Sequence, residues 1–548
     1  MKTRTSRPSV PVALATLALA LGLAACGGGG SSSSSVNVAL ADAPSKDFDH
    51  VWITVKQIDF HQLDSASPSD PQWVQFPLAA PVSIDLTQYA NGSLAQVFSG
   101  LALAPGTYRQ IRLKLVDDEA PLTASATASG LTYNDQVDYT DAGGISRSAP
   151  LEIIGPRQGI NLIGTFTLGA GSVLNLVLDL DLDEDVVRFV DSLGSGMDAF
   201  TLKPSIRYFD LSHAGAIVGQ VDSTQLAIHG GSAYNLIIKA EQLSADGTHH
   251  QVARATTVRN DGSFTLYPVD VSSGSTQNYD VLVRGRSMET LLVRGVPVTA
   301  GTMPSQGATQ ISSAALPIIA GSEYTVTLAG PQDPTGSWVN FFQTLPPALD
   351  PSGVPYEVRF RHVNPFTGLI DLPFALSSGS LHVGNYAGGG AIGFASTTPQ
   401  QGAGGFAAVG GAPQYVDGAP VATLPPAGGT NSQIQLASLA VAPAFVPGSI
   451  TVNITTAIPG EFTHGELVIS HFGMIVDSVP IDAQLAAGGP ASASNLPSGT
   501  AANPDHGGYY FAWLRVWNGA SRRPHIVPVL AVADLTTSAS ATLNVTIP

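Results

Sequence analysis

Four aspartates spaced two apart, Asp179, Asp181, Asp183 and Asp185, are the residues best suited to hold a hard cation. Calcium is bound by carboxylate oxygens at about 2.3 to 2.6 Å. Alternate residues of a strand share a face at about 6.6 Å spacing, so one ion reaches several of them only where the chain bends. An EF-hand-like loop would need Gly where Glu184 stands and Glu where Val190 stands. The simpler expectation is a solvated face running into a helix start, where Glu184 and Asp185 favour the dipole; a weak calcium site is the alternative. A second constellation is aromatic. Tyr509, Phe511, Trp513 and Arg515 alternate along one strand face, with Trp517, Arg522 and Arg523 close by. Such rings stack on sugars or anchor a protein partner, and the plainer reading is that both faces pack in a sandwich.

The twelve histidines are scattered, and the single adjacent pair, His249-His250, would point to opposite faces of a strand. No His-Glu-x-x-His, Gly-x-Ser-x-Gly or Walker-type loop occurs. Two catalytic carboxylates distant in sequence stay open as an option, with nothing local to select them. Asp117-Asp118-Glu119 reads as a solvated loop. No catalytic residue is assigned and no cofactor is expected beyond the weak calcium option.

The only thiol is Cys26, which ends the run Leu23-Ala24-Ala25-Cys26. Before it lie the basic residues Lys2, Arg4 and Arg7 and an apolar stretch from Val10, too short for a comfortable membrane span of about 20 residues. The arrangement resembles the lipobox of bacterial lipoproteins. That resemblance implies cleavage before Cys26, acylation of its thiol, and attachment to the membrane through acyl chains. One chain holds only marginally, so two or more are implied. Gly27 to Ser35 reads as a nine-residue tether of about 30 Å at full extension. Gly27, in place of the Asp that retains many such proteins at the inner membrane, implies the outer membrane.

Composition bounds the rest. Charged residues are 12% against a usual share of about 25%. Gly (58) and Pro (39) are plentiful, and apolar residues, at 44%, recur at strand spacing rather than in the pattern of a disordered chain. A net charge of -17 without a basic stripe argues against nucleic acid as a partner. With no second cysteine, disulfides and thiolate metal sites are excluded, and each core must stand on packing.

The elements that position these residues read as strands. Val36, Val38 and Leu40 alternate before Asp42-Ala43-Pro44 ends the run; Val51, Ile53 and Val55 alternate with Trp52, Thr54 and Lys56. In Gly106 to Leu115, Ile111, Leu113 and Leu115 should face a core and Gln110, Arg112 and Lys114 solvent. Leu174, Leu176, Leu178, Leu180 and Leu182 keep the same period, and a helix is expected at Glu184 to Leu193 with Asp183 as its cap and Gly194 as its stop. Asp42-Ala43-Pro44, Pro105-Gly106-Thr107-Tyr108 with Arg112-Leu113, Leu178-Asp179-Leu180-Asp181 and Leu202-Lys203-Pro204 together resemble the exported-protein family catalogued as domain of unknown function 4382. The resemblance implies no activity.

Further on, Ile217 to Val221 opens a second unit, and Asn260-Asp261-Gly262-Ser263-Phe264 predicts a hairpin with a type I′ turn. Tyr279 to Gly285 and Val296-Pro297-Val298 follow. This stretch resembles the carboxypeptidase regulatory-like (transthyretin-like) β-sandwich, which implies a spacer or binding accessory without peptidase residues. Ser322 to Leu328, Ser449 to Ile454 and Tyr509 to Val516 read as further strands, and Gly384 to Gly429 as long loops or an inter-domain stretch.

The sequence thus predicts an all-β chain of several β-sandwich domains in tandem. Its expected parts are a signal peptide (1–25), a lipidated cysteine and tether (26–35), a first unit (36–211), a second (212–316) and an unassigned region (317–548) that is either one large β domain or two small ones split near Thr430. Such a chain reads as a lipid-anchored, non-catalytic binding or scaffolding module of the cell envelope, at the outer membrane. Its partner would be an envelope polymer, a polysaccharide or a protein. The alternatives are an envelope enzyme with its site in 317–548 and a calcium-stabilised adhesin.

Overall fold

The computed structural model describes residues 34–545 apart from short interruptions, the longest at 190–197, 229–235, 330–337, 364–373, 424–431 and 499–508. Nearly every described element is a strand, and the strands form three successive groups with their own cores.

The first group is a two-layer sandwich. One sheet runs in the order Arg207–Asp210, Val173–Asp181, Ser34–Ala43, Ala95–Leu103. The other is built around His50–His61 and Gly106–Leu115, with Val74–Asp85, Gln136–Thr140, Ser146–Ile153 and Ile160–Leu168 beside them. Ser34–Ala43 pairs in parallel with Val173–Asp181, Leu40 opposite Leu178. The even-numbered leucines 174 to 182 and Val36, Val38 and Leu40 fill the space between the sheets with Ile111, Leu113 and Leu115, as their period requires. Ser34 and Ser35 already belong to the first strand, and Ser34 Oγ donates to the Gly169 carbonyl at 2.7 Å. The expected tether is therefore shorter by those two residues.

Two expectations fail here for identifiable reasons. Gln110 and Arg112 do not face solvent: the Arg112 guanidinium lies 3.8 Å over the Trp73 ring, and Gln110 Nε2 donates to the Leu63 carbonyl. The segment carrying Leu63 and Trp73 covers that face, and Thr54 on the neighbouring strand is buried too, donating to the Asn134 carbonyl. The helix expected from Glu184 shrinks to one turn, Leu182–Asp185, capped by Asp181 rather than Asp183. Val186–Phe189 continues as a strand paired with Ala199–Leu202, because Val186, Val187 and Phe189 fit a pleated ladder better than a helix. Leu193 and Gly194 lie outside the described residues.

The middle group centres on a ten-stranded sheet. Ile237–Leu243, His250–Thr257, Thr276–Arg284 and Leu291–Thr299 form its heart. Leu381–Asn385 joins one side and Tyr356–His362, Trp338–Gln343, Phe406–Gly411 and Val421–Thr423 join the other. A boundary at 316 therefore falls within one sheet, and the Gly-rich stretch after Gly384 supplies strands as well as turns. A second layer, Ser263–Asp270, Ala214–Gln220 and Thr309–Gln310, closes the sandwich. The third group pairs a three-stranded sheet (Gly489–Ser498, Val446–Ile454, Ser540–Val545) with a four-stranded one (Met474–Pro480, His464–His471, Tyr509–Asn518, Ser521–Asp534). Thr430 lies outside the described residues.

The Asn260-Asp261-Gly262 turn carries the chain from one layer of the middle sandwich to the other. The Gly262 amide donates to the Arg259 carbonyl at 2.9 Å, and the Arg259 amide donates to the Ser263 carbonyl at 2.8 Å. Positive φ falls on Gly262 alone (+83°), not on Asn260 or Asp261, so the turn is not type I′. The Gly262 carbonyl also accepts from the Val221 amide, and a Cβ on Gly262 would stand 2.4 Å from the Val221 carbonyl oxygen. Gly262→Ala is expected to destabilise the middle group by at least the ~1–3 kcal/mol of a strained left-handed residue. Urea unfolding followed by tryptophan and tyrosine fluorescence measures it, and a midpoint unchanged from wild type would refute the close contact.

Candidate functional site

A set of charged residues of this charge-poor chain meets where the first and middle groups touch. Val173–Asp181 ends in the one-turn helix Leu182–Asp185, and the acidic residues divide their work there. Asp181 accepts from the Asp183 amide at 3.1 Å, and Asp185 accepts from the Asp181 amide at 2.9 Å, so these two close the turn on itself. Asp179 points away from the first core, as alternation with Leu178 and Leu180 demands, and pairs with Arg254 of the middle group. Arg254 also donates to the Asp42 carbonyl at 2.9 Å. A register shift beside it, with Ala240 opposite Arg254 but Glu241 opposite Val252, is a bulge of the kind that re-aims side chains.

Asp183 accepts from Ser45 Oγ at 2.6 Å and faces Arg284 at 3.7 Å and Arg361 at 3.8 Å. Arg361 reaches Asp47 at 2.7 Å, and the His362 ring lies 2.8 Å from the Glu184 carbonyl. Arg359 and Arg361 alternate along Tyr356–His362 and so share one face, and a register shift separates them from Glu357. Around these ions Ala43 packs with Ile237, Val252 and Ala255, the small side chain allowing the sheets to approach. Behind them, Lys239 Nζ sits 2.9 Å from Glu357 Oε1, and Glu241 accepts from the Glu357 amide at 3.1 Å.

Electrostatics sorts the carboxyls. Burial alone would raise Asp183, but Arg361, Arg284 and Arg359 together hold it below its ordinary value. Burial pushes Asp181 well up, reinforced by Glu184, Asp183 and Asp185. It also raises Asp42 and Glu241, each opposed by one cation, Arg254 and Lys239 respectively. Burial, with the Glu357 charge adding to it, brings Glu184 to about 7. Arg254 and Arg284 are lowered by burial to about 10, still charged at neutral pH.

A second junction joins the third group to the first. Arg515 lies between Glu152 at 2.9 Å and Glu466 at 3.2 Å, and donates to Thr201 Oγ1 at 3.2 Å. Both glutamates raise its pKa against the lowering effect of burial. Phe511 and Trp513 share the Arg515 face and are buried at 7% and 5% exposure, stacked 5.9 Å apart beside Val468. A smaller contact completes the set where Arg259 donates to the Asn91 carbonyl at 2.8 Å.

These positions correct the sequence-based expectations. The four aspartates do not converge on one point, and the cations they meet are arginines. Among the described residues no group of three or more His, Cys, Asp or Glu is placed to hold a metal. Tyr509, Phe511, Trp513 and Arg515 do share a face, but Phe511 and Trp513 are buried and so offer no open platform for a sugar. His250 stacks on Tyr356 at 3.9 Å rather than binding an ion with His249. Cys26 lies outside the described residues. The sequence reading passed over Arg254, Arg284 and the run of Glu357, Arg359 and Arg361. Three charges at period two were the available signal for the last.

Residues 33–204 match the family described as Domain of unknown function (DUF4382). No curated protein matches the chain. Among solved structures, the Bacillus anthracis TIE protein is 8% identical, covering 94% of this chain and 73% of its own, at a TM-score of 0.16. The shaft pilin SpaA from Lactobacillus rhamnosus GG is 11% identical over 42% of this chain and 98% of its own, at 0.18. A Streptococcal ancillary pilin is 10% identical over 60% and 98%, at 0.15.

Removing one side of a buried pair is costlier than the pair's net worth, because the partner charge is stranded. Arg515→Met is therefore expected to weaken the third group's docking by about 3–5 kcal/mol. Limited proteolysis would then release a fragment covering 446–545, and a digestion pattern like wild type would refute the junction. Glu184 gives a pH prediction. Its raised folded-state pKa stabilises the protonated form, so this contribution is full below its ordinary value and is lost as pH rises toward and through about 7. Glu184→Gln should flatten the fall in melting temperature between about pH 5 and 8. An unchanged slope would count against it.

Proposed function

We propose that the protein is a non-catalytic binding or scaffolding module of the cell envelope, anchored by lipid at Cys26. In this reading the three β groups form one rigid unit. The observation that carries it is that Asp179, Asp183 and Arg515, among the chain's most chemically suggestive residues, are consumed in ion pairs between groups. Ion pairs across both junctions fix the groups' orientation, which is what a display scaffold requires. The middle group would act as a spacer, in keeping with its resemblance to carboxypeptidase regulatory-like sandwiches.

Seven residues separate Cys26 from Ser34, at most about 25 Å of chain. Anchoring at that distance keeps the first sandwich close to the bilayer and raises its effective concentration toward any co-localised partner. With a net charge of -17, the body is repelled by anionic head groups, so attachment rests on the acyl chains. The outer membrane is the proposed address, and an envelope polymer, polysaccharide or protein the proposed partner.

Cys26→Ala should move the protein from the detergent-extracted membrane fraction to the soluble fraction, with its melting temperature unaltered. Release of the wild-type protein by a salt wash without detergent would overturn the anchoring. Crosslinking in intact envelopes then tests the partner. The proposal expects one defined species with wild type, lost in the Cys26→Ala control.

A further inference from the structure

We propose that Lys239 and Asn340 are joined by a side-chain amide bond formed within the folded middle group. The two side chains sit on the two oxygens of one buried carboxylate. Lys239 Nζ is 2.9 Å from Glu357 Oε1, and Asn340 Nδ2 is 3.3 Å from Glu357 Oε2. Lys239 and Glu357 are each 5% exposed. The Asn340 Oδ1 atom is buried with no hydrogen-bond partner. Oxygen and nitrogen of such an amide are assigned by their network, so either end can face Glu357. Three strands, Ile237–Leu243, Tyr356–His362 and Trp338–Gln343, hold the trio in the ten-stranded sheet, and Ile237–Leu243 lies within it, paired on both sides.

Chemistry and geometry agree on the bond. An amine that passes a proton to the carboxylate it touches is a nucleophile, and holding it beside its target replaces a high concentration of reactant. Glu357 touches both reacting groups and so can carry protons between them. Lys239 Nζ adds to Asn340 Cγ, the Cγ–Nδ2 bond breaks, and the two protons shed by Nζ leave on Nδ2. An ammonium and a primary amide become a secondary amide and an ammonium ion, with no oxidant and no co-reactant. Closing the bond requires the long lysine side chain to swing from Glu357 toward Asn340 about its terminal torsions. The product would tie residue 239 to residue 340 covalently.

Mass spectrometry of a tryptic digest of the full chain decides the matter. The expected result is a branched peptide containing Lys239 and Asn340, lighter by one ammonia than the two linear peptides, and no cleavage after Lys239. Glu357→Gln and Asn340→Ala, each checked for folding by circular dichroism, should yield the linear peptides and a lower melting temperature. Linear peptides cleaved at Lys239 from the wild-type protein would overturn the proposal, whether or not either variant folds. A branched peptide lighter by one water and containing Glu357 would overturn Asn340 as the acceptor.

Discussion

The arrangement of this molecule depends on the cost of burying charge. A carboxylate removed from water must meet a cation or give up its own charge, and at the end of Val173–Asp181 both outcomes occur within a few residues. Asp179 and Asp183 meet arginines from the middle group. Asp181 and Asp42 are driven toward their neutral forms. Because the cations come from a different sheet, the pairing is satisfied only when the two groups dock in one orientation. Buried ion pairs often contribute little net stability, and their geometric demand makes them suited to fixing how groups sit.

The same logic recurs at Arg515, where one cation serves a glutamate from each side. Apolar contact accompanies the ions at the first junction, through Ala43 with Ile237, Val252 and Ala255. Apolar burial supplies non-directional attraction, whereas ions supply register. Arg254, Arg284, Arg361 and Arg515 all sit at these junctions, where orientation has to be set.

Much of the fold was legible in the sequence because period-two alternation is a local property. The leucines from 174 to 182 and the Ile111, Leu113, Leu115 set face the core as their spacing required. The misreadings share one cause. Gln110 and Arg112 looked solvent-facing because they are polar, yet Leu63 and Trp73, distant in sequence, lie over them. The helix after Glu184 was misjudged because acidic capping residues outweighed the β-branched run behind them, and pairing with Ala199–Leu202 settled the competition. The 179–185 acids and the 509–515 face stood out in the sequence, but the partners of Asp179, Asp183 and Arg515 were not readable, since Arg254, Arg361 and Glu152 lie far along the chain.

Sequence by itself determined the all-β class, the inward leucine face, the DUF4382 match over 33–204 and the absence of any disulfide, because each follows from local spacing or residue count. Tertiary structure decided what the acidic strand is for and where the middle sheet ends. It also decided which polar residues are buried. Those depend on contacts between residues up to hundreds of positions apart, such as Arg361 with Asp47 and Arg515 with Thr201, and no local pattern encodes the partner of a charge.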